Sequence, residues 1–277
     1  MLADKKQKKK YIIIAVSIVV FIIILGTAFY EGLTVTHYSI ETNKVDEPVR
    51  IVLLTDLHSC FYGKNQEKLI SKIDEQNPDI ILMVGDIADD VTPIDGTVAM
   101  LKGITDRYTC FYVTGNHEFW SGEVESIKNV FREYGVRVLE GESEIVTING
   151  QSINICGVDD PDIGEYVFRR QLKSAFESID EDLYTILMLH RPERFEAVSV
   201  NDCDLILSGH AHGGQWRIPH ILEGVYAPDQ GFFPIYTNGI YSMNGTEMLV
   251  SRGLHDAQLV PRIYNPPEVV VIDITAQ

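Results

Sequence analysis

Basic residues are scarce in this sequence. Lysine and arginine number 23 against 40 aspartates and glutamates, for a net charge of −17. The first 30 residues hold Lys5, Lys6, Lys8, Lys9 and Lys10 against Asp4, a net +4, which leaves −21 for the rest (−17 − 4). So acidic a surface repels nucleic-acid phosphates, and no nucleic-acid binding is expected. It tolerates divalent cations, although solubility alone explains the charge equally well. Cysteine is also sparse. Cys60, Cys110, Cys156 and Cys203 form no C-x-x-C pair, which excludes a zinc ribbon or a thioredoxin-like motif. Cys110 and Cys156 lie in apolar runs and read as small core residues. A disulfide stays open for a domain outside the cell. There is no repeat at a solenoid period and no low-complexity tract.

Charge is missing altogether from Tyr11 to Tyr30. About 20 apolar residues rising 1.5 Å each cross a hydrocarbon core of roughly 30 Å. The expectation is a basic tail over residues 1–10, a transmembrane anchor over 11–30, a lead-in strand over 31–48 and one large domain over 49–277. The lysine cluster places the N-terminus in the cytoplasm, by the excess of positive charge on that side. The protein is then single-pass in the cell membrane, with its domain extracytoplasmic. A cleaved signal peptide competes, with Gly26-Thr27-Ala28 as a cut site, but the apolar run is long for that role and no twin-arginine pair precedes it. A buried core helix would need partners on every face.

The remaining residues, 45% of the whole chain being hydrophobic and 23% charged, have ordinary globular composition. Strand-like and helix-like stretches alternate. Leu33–Glu41 has strand composition. Val49–Thr55, Asp79–Val84, Cys110–Val113 and Val136–Leu139 read as strands, separated by helical spacing over Gln66–Gln76, Val98–Tyr108 and Val124–Tyr134. Hairpins are expected around Asn149-Gly150 and Asn244-Gly245. Arg169–Ser178 reads as a helix, and Tyr184–Leu189, Asp204–Leu207 and Val269–Ile274 as strands. The pattern predicts an α/β layered fold with two sheets and helices outside.

Polar residues cluster where apolar strands end. The ends are Asp56-Leu57-His58, Gly85-Asp86, Gly115-Asn116-His117-Glu118, His190 and Gly209-His210-Ala211-His212. Ligands of α/β sheets bind beyond the carboxyl ends of strands, so five such ends can meet in one crevice. Carboxylate, amide oxygen and imidazole suit borderline and hard divalent metals. In D-x-H and H-x-H, alternate residues of an extended segment point the same way and reach one ion. Each motif alone has a bland reading: Gly-Asp is commonly a turn, and a lone histidine is commonly a core or loop residue. The ordered set of five does not.

These motifs resemble the calcineurin-like metallophosphoesterases, whose ordered signature is D-x-H, G-D-x-x-D, G-N-H-E, H and G-H-x-H. The second is met by Gly85-Asp86-Ile87-Ala88-Asp89. The resemblance covers about residues 49–275. It extends to the bacterial membrane-anchored subgroup through Gly213-Gly214-Gln215, Gln230-Gly231-Phe232-Phe233-Pro234, Ser251-Arg252-Gly253-Leu254 and Asn265-Pro266-Pro267-Glu268. It implies a four-layer α/β/β/α sandwich and two divalent cations, manganese, iron or zinc. Asp56, His58 and His212 would hold one cation; Asn116, His190 and His210 would hold the other. Asp86 would bridge them, and a bridging hydroxide would attack phosphorus. His117 would contact the phosphate or protonate the leaving oxygen, with Asp89 orienting it.

Where the superfamily's protein Ser/Thr phosphatases carry a phosphate-gripping arginine, this chain has Asp90, and those enzymes lack the first histidine of G-H-x-H. The implied activity is phosphoester hydrolysis, of a diester before a monoester. Relatives that cleave UDP-diacylglucosamine suggest a lipid-linked substrate, although an exported domain faces away from a cytoplasmic nucleotide-sugar lipid. Trp120, Trp216, Ile218, Ile221, Phe232 and Phe233 would line an apolar groove, or equally pack in a core. An inactive membrane-tethered metal-binding or adaptor domain and a metallo-amidase are the competing functions. His255, after Ser251-Arg252-Gly253-Leu254, would enter the pocket or, the preferred reading, sit on the surface.

Overall fold

The structure, a computed structural model, describes residues 2–201, 203–255 and 260–277. Helix α1 (Leu2–Ala28) takes in the lysine cluster as well as most of the charge-free segment. Within it, Gln7–Ala28 is long and apolar enough to cross a membrane, and almost none of it is buried against the rest of the protein.

The chain continues through β1 (Thr34–Thr42), β2 (Val49–Leu54), α2 (Glu67–Asp74), β3 (Ile80–Val84), α3 (Asp95–Ile104), β4 (Thr109–Val113), α4 (Asn116–Trp120), α5 (Val124–Glu133) and β5 (Arg137–Val138). Next come β6 (Glu142–Ile148), β7 (Gln151–Gly157), α6 (Glu165–Glu177), β8 (Tyr184–Met188), α7 (Phe195–Val198) and β9 (Leu205–Ser208). The last elements are β10 (Tyr226–Ala227), β11 (Gly231–Phe232), β12 (Gly239–Met243), β13 (Thr246–Val250) and β14 (Glu268–Ala276).

Two six-stranded sheets result, in the orders β1-β14-β2-β3-β4-β5 and β12-β13-β9-β8-β7-β6. Strands β2 to β5 run parallel, as do β7, β8, β9 and β13. Successive side chains of a strand face opposite ways. In β2, Ile51 and Leu53 enter the layer between the sheets, where Ile155, Ile186, Leu207 and Leu249 meet them. Val52 and Leu54 face outward onto α2, α3 and α5 through Leu69, Met100 and Phe131. The second sheet is covered likewise by α6 and α7 through Phe168, Ala175, Phe195 and Val198. This is the expected α/β/β/α layering. Burial on both faces is why these strands read as unbroken apolar runs. Each fully buried Val, Leu or Ile contributes about 1.5–3 kcal/mol. Exposed pairs such as Arg169–Glu165 and Lys173–Glu177 contribute about 0.2–1 kcal/mol each, so apolar layering decides the fold.

Both expected hairpins form, with φ of 52° and 87° at Asn149-Gly150 and 55° and 86° at Asn244-Gly245, the left-handed pair that a two-residue turn needs. Boundaries move elsewhere. α3 starts at Asp95 and stops at Ile104, where the amides of Arg107 and Tyr108 both turn back to the Ile104 carbonyl. The strand expected over Val136–Leu139 shrinks to two residues, an edge strand registered only against Phe111 and Tyr112. The four cysteines are free thiols, with Cys110, Cys156 and Cys203 buried.

Candidate metal centre

Parallel strands bring their carboxyl ends to one edge. β2 delivers Asp56 and His58, β3 delivers Asp86, β4 delivers Asn116 and His117, β8 delivers His190, and β9 delivers His210 and His212. The loops are stitched together by backbone bonds. The amides of Asp56 and His58 donate to the carbonyls of Gly85 and Asp86, and that of Gly209 donates to His190. Glu118 makes the tightest knot: its carboxylate accepts from the amides of Gly115, Asp86 and Ala88 at 2.8, 3.0 and 3.0 Å. That explains the glutamate of Gly-Asn-His-Glu. Burial, reinforced by the charge of Asp86, pushes its carboxyl up to about 7. Gly115 and Gly209 permit the close approach, since a side chain there would collide with the carboxylates of Asp86 and Asp56 respectively.

Asp56, His58, Asp86, His210 and His212 all adopt positive φ, between 46° and 65°. Such strain is uncommon outside glycine and gathers at functional sites. It turns the side chains of successive loops toward one point. Among the described residues, Asp56 Oδ2, His58 Nε2, Asp86 Oδ2, Asn116 Oδ1 and His190 Nε2 are buried with no hydrogen-bond partner. An unsatisfied buried polar atom costs about 1–3 kcal/mol. Five on adjoining motif residues is therefore a cluster that calls for a further partner.

The atoms converge. His190 Nε2 and His58 Nε2 lie 3.1 and 3.8 Å from Asp86 Oδ2. His190 Nε2 and His212 Nε2 lie 3.9 and 3.7 Å from Asp56 Oδ1. Asp56, His58 and Asp86 form one group able to hold a metal ion, and Asp86, His190 and His210 form another, each with ligand atoms within 4.8 Å of one another. Asp86 belongs to both.

The rings are held from behind. His190 Nδ1 lies 2.9 Å from the Val84 carbonyl and donates to it, so the lone pair of the neutral ring is on Nε2, toward Asp86. His58 Nδ1 is 3.0 Å from Asp89 Oδ1, and His210 Nε2 is 2.9 Å from Asp229 Oδ2. Arg191 steadies that last contact, reaching Asp229, Asp160 and Asp162 at 2.7, 2.8 and 2.8 Å. Burial and the charges of His58 and Arg262 hold His212 well below the usual histidine range.

His117 stands at the cleft side of this cluster. Its Nδ1 lies 2.7 Å from Asp90 Oδ1 and 3.2 Å from Asp89 Oδ1. Burial works to lower its pKa, but the bond to Asp89 and the charges of Asp86 and Asp90 outweigh it and raise it to about 9. Burial would raise Asp89, yet hydrogen bonds from His117, His58 and Thr92 hold it well below the usual carboxylate range. Asp89 thus serves two histidines, and Asp90 makes the shorter contact to His117. The aspartate standing where protein phosphatases have arginine is the one the sequence reading passed over.

His255 takes the less favoured of its two expected positions. It is not a surface histidine: its ring centroid lies 4.5 Å from that of His58 and 6.0 Å from that of His212. It comes from the end of β13, a sixth apolar strand ending at the same edge, and that position was the available signal. Asp229 and Arg191 were also missed. Asp229 carries a weak signal, directly before the Gln230-Gly231-Phe232 segment.

A calcineurin-like phosphoesterase model matches residues 49–214. The chain belongs to the calcineurin-like phosphoesterase family. With that family comes the plain conclusion that it is a metal-dependent phosphoesterase, and the His and Asp groups above are among those able to hold metal. Its calcineurin-like relatives include an uncharacterized metallophosphoesterase of Aquifex aeolicus, 31% identical over 252 residues that take in 87% of this chain and 92% of that one. Another, from Campylobacter jejuni, is 28% identical over 87% of this chain, which spans only 63% of that protein's length. Among solved structures, TT1561 of Thermus thermophilus superposes with a TM-score of 0.50 at 14% identity, over 75% of this chain and 91% of that one, and shares the fold.

Proposed function

We propose that the chain hydrolyses a lipid-linked phosphodiester at the surface of a membrane spanned by α1, using two divalent cations drawn from manganese, iron and zinc. The observation carrying this reading is the set of five buried polar atoms without partners, all on the motif residues and facing one another. Asp56, His58 and His212 would hold one cation, Asn116, His190 and His210 the second, with Asp86 shared. Bound there, the cations would polarise the phosphoryl oxygens and make water a nucleophile at neutral pH.

The chain's own residues supply the rest. His117 has Nδ1 occupied by Asp90 and Asp89, which leaves Nε2 for the substrate, and the two carboxylates favour the protonated ring that can give a proton to the departing oxygen. A cleft of about 570 Å³ opens beside His58, His117 and His212 and is walled by Trp216, Val225, Tyr226 and Phe232. Such a wall suits acyl or isoprenoid chains. The lysines in the first turns of α1 favour a cytoplasmic N-terminus and an extracytoplasmic domain.

The test is hydrolysis by the full chain in detergent with manganese, comparing a chromogenic monoester, a chromogenic diester and a lipid-linked diester. His117→Ala should lower kcat by roughly 10²–10⁴. Asp86→Asn should abolish turnover. A monoester preferred over both diesters would sink the substrate assignment. Activity equal in wild type and Asp86→Asn would sink the shared carboxylate.

A further inference from the structure

Apolar side chains left in water beyond a scattered few mark a surface that meets something else. Around the mouth of the cleft, Ile221, Phe232, Phe233 and Ile235 are 70–82% exposed, with Trp216 and Ile218 beside them. They sit on two segments tied at one point. The amides of Trp216 and Val225 both donate to the Gly214 carbonyl, and Phe233 donates to Val225. The Ile218 amide bonds back to Leu222 and closes the first segment into a tight loop.

The same surface is joined to the end of α1. Trp216 bridges to Ile263, and its indole Nε1 donates to the Pro261 carbonyl at 2.9 Å. The next residue, Tyr264, donates its amide to the Ala28 carbonyl at 2.8 Å and its hydroxyl to Ile24 at 3.3 Å. Phe29 and Tyr30, both exposed, close α1 with the aromatic pair that settles at headgroup level. The apolar rim therefore begins one short strand away from where α1 leaves the hydrocarbon.

We propose that the Trp216–Leu222 loop and the β10–β11 hairpin seat in the headgroup layer of the bilayer that α1 spans, so that the cleft opens onto lipid. The occupant is the bilayer and not a protein, because the rim is continuous with the membrane segment and carries the aromatic and branched residues that interfaces favour. The inference rests on reading α1 as membrane-spanning and is independent of turnover.

Trp120 and Trp216 are the only tryptophans, so Trp120→Phe leaves Trp216 as sole reporter. The full chain carrying that change is placed in phosphatidylcholine nanodiscs whose lipids are brominated near the headgroup end of the acyl chains. Trp216 emission should lose most of its intensity relative to unbrominated discs. Ile221→Asp with Phe233→Asp, both at exposed positions, should restore it. Equal emission in the two kinds of disc, with the chain still carried by them, would overturn the docking and leave the anchor standing. A chain that fails to travel with the discs would overturn both. A dimer cross-linked through the rim, with no bromine quenching, would name a second copy as occupant and overturn the proposal as well.

Discussion

Titrating manganese into the metal-free chain should raise its melting temperature steeply, and the geometry sets the size of the effect. The apo site holds Asp56 and Asp86 as buried carboxylates, each with one oxygen unpartnered. A cation binding only the folded state stabilises it by about 2.7 kcal/mol per site at 100 times its Kd. A domain of this size gains about 2–4 °C per kcal/mol, hence about 5–11 °C for one site and roughly 11–22 °C for two. Asp86→Asn is the decisive variant. It keeps an oxygen to accept the His117 amide, now 2.9 Å away, so the loop is preserved while the shared charge is lost. The assay is thermal melting of both proteins in detergent, with and without manganese and again after chelator. Wild type should gain and Asp86→Asn should gain little. If Asp86→Asn keeps the full shift, or wild type shows none with manganese, iron or zinc at millimolar levels, the reasoning about a shared carboxylate is wrong.

Asp229→Ala should weaken metal binding about 10–100-fold in a calorimetric titration, because it removes the carboxylate behind His210; unchanged affinity would show that His210 needs no such support. Asp90→Asn should lower kcat and leave metal affinity intact, whereas Asp89→Asn should lower both, since Asp89 also holds His58; identical phenotypes would refute this division. Lys128→Met should cost about 3–5 kcal/mol in denaturant unfolding. It strands the buried Asp159 that the ammonium now meets at 2.9 Å, and a loss below about 1 kcal/mol, the value of an exposed pair, would contradict it.

The layers and the motif positions were legible because both are written in local sequence. Two-sided burial makes Val49–Leu54 or Tyr184–Met188 visible as apolar runs, and each run stops at its ligand. What stayed hidden was set by packing between distant segments. Nothing near Asp90 announces that it lies closer to His117 than Asp89 does; that depends on how the loop after β3 folds over α4. His255 follows a strand as the motif residues do, but Gly253-Leu254-His255 matches none of the five motifs that marked them. Arg191 sits beside His190, yet its three carboxylate partners come from two loops, 29 to 38 residues away. The strand character of Leu33–Glu41 was readable, but its partner was not.

That partner matters for how the protein is made. β1, the first strand after the membrane helix, pairs in parallel with β14, and β14 lies between β1 and β2. Thr34 and Pro267, 233 residues apart, already share a hydrogen bond where the pairing begins. The first sheet therefore has a slot, one strand in from its edge, that is filled only by a strand made more than 200 residues after β1. Until then β2, which carries Asp56 and His58, is an open edge, and the emerging chain needs shelter from aggregation. Loss of that one strand would leave β2 to β5 paired but would cut β1, and with it the link to α1, out of the sheet.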